Sequence, residues 1–208
     1  MNPSWLLIGA MGYLIGTFPT AWLLYRLTKG GDIRNEGSGN VGARNVYEVT
    51  GKKWVGVVTF LIDALKGALA TYLGYLFGGD WLPNGGWAAV GCIVGHNYNI
   101  FLKGKGGRGL ATATGAALVV NPLMMFTWDI MYLIGYNVIM KNVHVGSMTA
   151  TIGTAVMMYS LPDLVLAKTT LVPFYEVSDI RLFGVAMCIP LFMRHLEPIR
   201  ALIRESDE

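Results

Sequence analysis

"WVGVVTFLIDALKGALATYLGYLF", residues 54–77, is a run of apolar chain whose only charges are Asp63 and Lys66. A helix needs about 20 apolar residues to cross the hydrocarbon core of a bilayer, and this stretch is long enough. Its two charges stand three residues apart, so on a helix they share a face and pair, which is how ionisable groups persist inside a membrane. The segment therefore reads as a spanning helix carrying an internal ion pair.

The chain on either side repeats the pattern. "WLLIGAMGYLIGTFPTAWLLY" (5–25) is a second span and "WAAVGCIVGHNYNIFL" (87–102) a shorter one. Residues 109–140 are too long for one crossing, and Asn121-Pro122 divides them into 109–120 and 123–140. Further spans are expected at 147–161 and 181–197, which makes about seven. The short ones must be shielded by neighbours, because lipid leaves no backbone polar group unsatisfied. Of the 208 residues, 53% are hydrophobic and 14% charged, against about a quarter charged in a soluble domain. The fold class is thus an all-α integral membrane protein of about seven transmembrane helices, one polytopic domain over 1–208.

The N-terminus lacks a basic n-region and a small-residue cleavage site, so it reads as a retained span. Cys92 and Cys188 lie in apolar runs without metal-ligand spacing and read as small buried hydrophobes. The cations set the orientation. With the N-terminus outside and the C-terminus cytoplasmic, 13 of the 16 lysines and arginines fall in cytoplasmic segments, and the outer loop 78–86 has none.

Three of those segments carry more than topogenic charge. The first contains "GSGNVGARN" (37–45), in which Gly37, Gly39 and Gly42 alternate with Ser38, Asn40, Arg44 and Asn45. Glycines let successive N–H groups turn toward an anion, and Ser, Asn and Arg supply further donors. The second, "GHNYNIFLKGKGGRGLATATG" (95–115), sets Lys103, Lys105 and Arg108 among glycines and ends in a sequence able to start a helix, whose dipole favours an anion. The third combines "KNVHVGS" (141–147) with "RHLEPIR" (194–200), offering Ser147 and His195. Two glycine-rich cationic loops on one face point to a shared site for phosphate.

Several familiar chemistries are excluded. "GKGGRG" (104–109) matches a dinucleotide fingerprint literally but follows no strand. The P-loop ending is missing, and no nucleophile elbow or cluster of metal ligands is present. None of His96, His144 and His195 has an acidic residue five positions on, so the H-x-x-x-x-D arrangement is absent.

At these residues the chain resembles the bacterial membrane acyl-phosphate:glycerol-3-phosphate acyltransferase family. "GSGNVGARNVYE" stands for a family motif of the form G-S-G-N-x-G-A-T-N-x-x-R, and "GHNYNIFLKGKGGRGLAT" for G-H-x-x-P-x-F-L-x-F-K-G-G-K-G-V-A-T. "YLIGTFPTAWLL" and "DALKG" support the match. The chain departs at Arg44 (Thr in the family), Glu48 (Arg), Asn99 (Pro) and Arg108 (Lys), and the third motif is reduced to "HLEPIRAL" with Pro198 for Asn. The resemblance implies transfer of a fatty acyl group from acyl phosphate to the 1-hydroxyl of glycerol 3-phosphate, giving lysophosphatidic acid and phosphate for phospholipid synthesis. It implies a multi-pass protein of the bacterial inner membrane with a cytoplasmic active face.

An acyl phosphate carries its own leaving group, so no cofactor, metal or enzyme nucleophile is needed, only alignment and charge stabilisation. Lys105, Arg108 and Ser38 are the expected catalytic residues. Gly37, Gly39, Asn40, Gly42, Arg44, Asn45, Gly106, Gly107, Gly109, Ser147 and His195 are the expected substrate-binding residues. The partners are the two phosphorylated substrates and membrane lipid, with no nucleic acid; the sequence leaves the oligomeric state open. Two alternatives remain beside this reading: a relative acting on another phosphorylated acceptor or with weak activity, and a small anion transporter.

Overall fold

The computed structural model describes residues 4–79 and 82–207, with side chains omitted for Ser4 and for 205–207. Asp80 and Trp81, in the expected outer loop, lie outside the described residues. All regular structure among the described residues is helical. The chain forms two compact units, residues 1–116 and 117–208.

In the first unit the stretch 5–25 is not one helix. It breaks into α1 (Ser4–Gly16) and α2 (Thr20–Lys29) around Thr17-Phe18-Pro19, because proline has no N–H to continue the helical ladder. A break in an apolar span frees carbonyls that lipid cannot satisfy. Asn99 Nδ2 donates to the Thr17 carbonyl at 2.6 Å, and Lys66 Nζ to the Phe18 carbonyl at 3.1 Å.

A short helix, α3 (Ala43–Thr50), lies inside the first glycine-rich segment, where the sequence predicted only loop. Next comes α4 (Lys53–Phe77), which buries Val55, Thr59, Asp63, Lys66, Ala70 and Gly74 along one stripe. Its opposite face exposes Val57, Leu61, Leu65, Leu69 and Leu76. A helix that hides its charges and shows its leucines has lipid for a solvent.

The next helix, α5 (Leu82–Asn97), starts five residues earlier than the span expected at 87. Asn84 Nδ2 donates to the Gly78 carbonyl at 2.9 Å, and Gly85 packs on the α4 backbone. Tertiary packing thus outweighs the poor helix propensity of the two glycines there. Between α1 and α5 the backbones touch: Gly12 lies on the Ala88 carbonyl, Gly16 on that of Cys92, Gly91 on that of Gly9 and Gly95 on that of Tyr13. A Cβ at any of the four would overlap those atoms, which is the small-residue packing that joins helices in lipid. Gly91→Val should therefore lower the melting temperature in detergent, overpacking costing about 1–3 kcal/mol; an unshifted melt would show that α1 and α5 part easily.

The remaining helices are α6 (Leu110–Val120), α7 (Leu123–Ile134), α8 (Val143–Ser160), α9 (Asp163–Thr169) and α10 (Val177–Asp207). The break between α6 and α7 falls at Asn121-Pro122, where the sequence predicted it. Asn121 Nδ2 reaches the Thr169 and Thr170 hydroxyls, each at 3.0 Å, fastening α9 to this break. The last turn of α7 widens into a π-turn over Gly135–Ile139. Helix α8 accounts for the span expected at 147–161, and α9, bent from it by 110°, was not expected. Arg181 of α10 seals that bend, donating to the carbonyls of Tyr159 and Leu161 and to the Asp163 carboxylate.

Among the described residues three helices are long and apolar enough to cross a membrane: Trp5–Lys29 taken through its break, Lys53–Phe77 and Val177–Arg204. The bent α8–α9 pair makes a fourth.

Candidate active site

The first glycine-rich turn folds around one side chain. Asn45, buried in the first turn of α3, accepts from the Ser38 N–H at 3.0 Å and donates to the carbonyls of Glu36 at 3.1 Å and Asn40 at 2.9 Å. An amide is both donor and acceptor, so a single residue holds both limbs of the turn. Gly37 has φ +55°, and a Cβ there would overlap Asn45 Oδ1 and stand 2.7 Å from Val49 Cγ1. Within the turn the Gly39 N–H closes on the Glu36 carbonyl at 2.9 Å and that of Gly42 on the Asn40 carbonyl at 3.1 Å.

This geometry changes roles that the sequence suggested. The N–H groups of Ser38, Gly39 and Gly42, expected to face a phosphate, are engaged inside the turn, and so is the Asn45 amide. What the turn presents outward is the Ser38 side chain, which is exposed, the half-buried Asn40, and the start of α3, where Gly42 supplies no side-chain cap. Arg44 lies on the exposed face of α3 with its Nε 2.7 Å from Glu48 Oε1. The two departures from the family motif thus form an i, i+4 ion pair with each other.

The second turn leaves the end of α5. Gly106 N–H donates to the Asn97 carbonyl at 3.2 Å and Gly107 N–H to the His96 carbonyl at 3.0 Å. These two groups, expected to bind phosphate, instead satisfy the last carbonyls of a helix, which would otherwise be orphaned. The glycines are required for space: a Cβ on Gly106 would overlap the His96 carbonyl, and one on Gly107 would overlap His96 Nε2 and stand 2.6 Å from the Val41 carbonyl. Asn99, where the family has proline, caps the following 3-10 turn by accepting from the Phe101 N–H at 2.9 Å while it holds Thr17. Lys105 is exposed and Arg108 half-buried. At Gly109, with φ +78°, the chain turns into α6, so the helix start predicted at "GLATATG" is present.

The two turns, some sixty residues apart in sequence, meet. Arg34 grips both Asp32 oxygens through Nε and Nη2, at 2.9 and 2.5 Å, while its Nη1 donates to the Leu102 carbonyl at 3.0 Å. Beneath the clasp, Ile33, Val41 and Val46 from the first segment pack with Leu102 from the second. The side-chain hydrogen bond from Arg34 holds the Asp32 carboxyl well below the usual carboxylate range, and Asp32 raises Arg34 in turn. A depressed folded pKa stabilises above the unfolded value, about 3.9, and the contribution is lost as pH falls through the folded one. Asp32→Asn should therefore lower the melting temperature at neutral pH, and the gap to the parent should narrow in acid. A gap constant down to acid pH would refute the clasp.

A small cavity, about 10 Å³, lies between the turns and the α1–α2 break, walled by residues 18–21 on one side and by Val41, His96, Asn99, Leu102, Gly106 and Gly107 on the other. A cluster that the sequence only half disclosed surrounds its His96. Lys66 Nζ lies 2.9 Å from Asp63 Oδ1 and 2.8 Å from His96 Nδ1, and Thr20 Oγ1 donates to Asp63 Oδ1 at 2.9 Å. The Asp63–Lys66 pair was legible from its spacing. Its junction with His96 was not, since 30 residues separate them in the chain. Arg34 likewise gave no signal beyond its charge.

Ser147 and His195 belong to the second unit, and both are buried. His195 Nδ1 donates to the Leu191 carbonyl at 2.8 Å, and its ring centroid is 6.5 Å from that of His144. His144 follows the α8 N-cap, Asn142, whose Oδ1 accepts its N–H at 2.7 Å; Ser147 is three residues further along the same face.

Comparison with known proteins adds to this geometry. The family model described as "Glycerol-3-phosphate acyltransferase" matches residues 6–205. The chain is 35% identical over 204 residues to the "Glycerol-3-phosphate acyltransferase" of Thermoanaerobacter pseudethanolicus, covering 97% of this chain and 93% of the relative. It is similar to the crystal structure of PlsY (YgiH), an integral membrane glycerol 3-phosphate acyltransferase, in its glycerol 3-phosphate form, with a TM-score of 0.75, 29% identity, and coverage of 97% of this chain and 93% of the other. The lysphosphatidic acid form of that protein gives the same TM-score and coverage at 28% identity.

Proposed function

The chain belongs to the glycerol-3-phosphate acyltransferase family, and from that premise we propose that it transfers a fatty acyl group from acyl phosphate to the 1-hydroxyl of glycerol 3-phosphate. The observation that carries the reading is the meeting of the two glycine-rich turns through Arg34 and the Leu102 carbonyl. It brings backbone of both turns, at Val41, Gly106 and Gly107, to one small cavity whose other walls include Phe18, Pro19 and Ala21, and this reading assigns the donor side chains of the turns to its mouth. A PlsY crystallised with glycerol 3-phosphate and with lysphosphatidic acid supports the same acceptor and product here.

In this reading Ser38, Asn40 and the uncapped start of α3 receive the acceptor's phosphate, with Arg44 as its cation. Lys105 and Arg108 receive the phosphoryl group of the donor. The acceptor O1 forms a bond to the acyl carbon as the bond from that carbon to the phosphate oxygen breaks. The phosphate leaves with both electrons of that bond, and one of its oxygens takes the hydroxyl proton. Negative charge concentrates on the leaving phosphate, where two fixed cations are worth most. Gly37, Gly39, Gly42, Gly106, Gly107 and Gly109 contribute shape, and Asn45 holds the first turn. The active face is cytoplasmic, at the inner membrane of a bacterium.

The test is phosphate release from palmitoyl phosphate by the purified protein in lipid mesophase, with and without glycerol 3-phosphate. Release that depends on the acceptor is expected; none, or release indifferent to it, would overturn the reading. Arg44 supplies a further check. Arg44→Ala should raise the KM for glycerol 3-phosphate, and Glu48→Gln, which frees Arg44 from its ion pair, should lower it. Unchanged KM in both would remove Arg44 from the site.

A further inference from the structure

The Lys66 ammonium has three protons and three acceptors around it: Asp63 Oδ1 at 2.9 Å, the Phe18 carbonyl at 3.1 Å and His96 Nδ1 at 2.8 Å. An ammonium only donates. The Nδ1 it faces must therefore carry a lone pair, so the ring is neutral and its proton sits on Nε2. That edge of the ring abuts Gly107, whose missing side chain is what lets Nε2 approach. The His96 main chain holds the same residue, its carbonyl accepting the Gly107 N–H at 3.0 Å.

We propose that Lys66 is a positioning residue for the second turn: acting through His96, it fixes where Gly107 stands at the cavity wall, and with it the course of the turn that carries Lys105 and Arg108. The proposal rests on the functional reading above for its consequence, but not for its geometry. A buried ion pair is weak support for stability, since its desolvation offsets its attraction. What this pair does supply is a fixed ring. Asp63 is itself held by Thr20 of α2 at 2.9 Å, and Lys66 by the Phe18 carbonyl at 3.1 Å, so the ring is referenced to the α1–α2 break that forms the opposite wall of the cavity. One buried cluster thereby sets the distance between the wall and the second turn. Misplacing an aligned group by about 1 Å can cost about 10²-fold in rate.

The experiment has two arms on the full-length protein. The first is nitrogen-15 NMR of the histidine rings in detergent, with His96→Asn assigning the His96 signals. A neutral ring with pyrrole-type Nε2 and pyridine-type Nδ1 is expected; an imidazolium, or a proton on Nδ1, would overturn the proposal whether or not the protein transfers acyl groups. The second is the paired variant Asp63→Asn/Lys66→Met, which removes both charges together and so strands neither. It should lose the single tautomer and lower kcat by about tenfold or more, while the KM for glycerol 3-phosphate changes by less than about twofold. A folded variant with parental kcat would overturn the positioning role. His96→Asn keeps an acceptor near Nδ1 but cannot reach Gly107; it should show the same kcat loss, and parental kcat there would also refute the relay. Parent protein without acyl transfer would defeat the functional reading, and the ring's tautomer would still be decided by the first arm.

Discussion

Lys105→Ala and Arg108→Ala are each expected to lower kcat by about two to three orders of magnitude, which is about 3–4 kcal/mol of lost transition-state stabilisation. Both residues belong to the second turn, Lys105 exposed and Arg108 half-buried. In the proposed reaction the leaving phosphate gains charge as the acyl bond breaks, and the two cations are assigned to stabilise it. The effect should fall on kcat more than on KM, because the charge to be stabilised is larger in the transition state than in the bound donor. Steady-state phosphate release with palmitoyl phosphate checks this. A loss confined to the KM of the donor would make the two cations anchors only.

Gly107→Ala is expected to produce a comparable loss in a protein that still folds. Its Cβ would overlap His96 Nε2 and stand 2.6 Å from the Val41 carbonyl. Neither neighbour yields easily, since the ring is bonded to Lys66 at 2.8 Å and Val41 is buried in the packed first segment. The turn must move instead, and a displacement near 1 Å at an aligned site costs about 10²-fold. Circular dichroism and a melt in detergent would establish folding, with destabilisation of about 1–3 kcal/mol from overpacking. Parental kinetics in Gly107→Ala would show that the second turn need not hold one position.

How much of this was legible beforehand differs from element to element. The charges inside residues 54–77 announced both a membrane helix and an ion pair, and the structure contains both. The break at Asn121-Pro122 was readable from two residues. Pro19 carried an equal warning, yet its stretch reads as one span because the apolar pattern continues across it. Only the carbonyl acceptors Thr17 and Phe18, met by Asn99 and Lys66, make a break tolerable there. The seven expected spans fared less simply: α5 begins five residues early, and α9 was unforeseen.

The site shows the same division. Residue types along "GSGNVGARN" and "KGKGGRG" state that the chain offers donors, cations and backbone freedom, and local chemistry of that kind is written in order along the chain. Which of those donors stay available is another matter. The N–H groups of Ser38, Gly106 and Gly107 are taken by Asn45, Asn97 and His96, because the great majority of backbone N–H groups in a folded protein pair within the chain. By itself the sequence determined a helical membrane protein with two glycine-rich, cationic turns. Tertiary structure alone decided that Arg34 joins those turns and that Lys66 stands behind His96, since hydrogen bonds between remote residues depend on how helices pack and leave no local pattern to read.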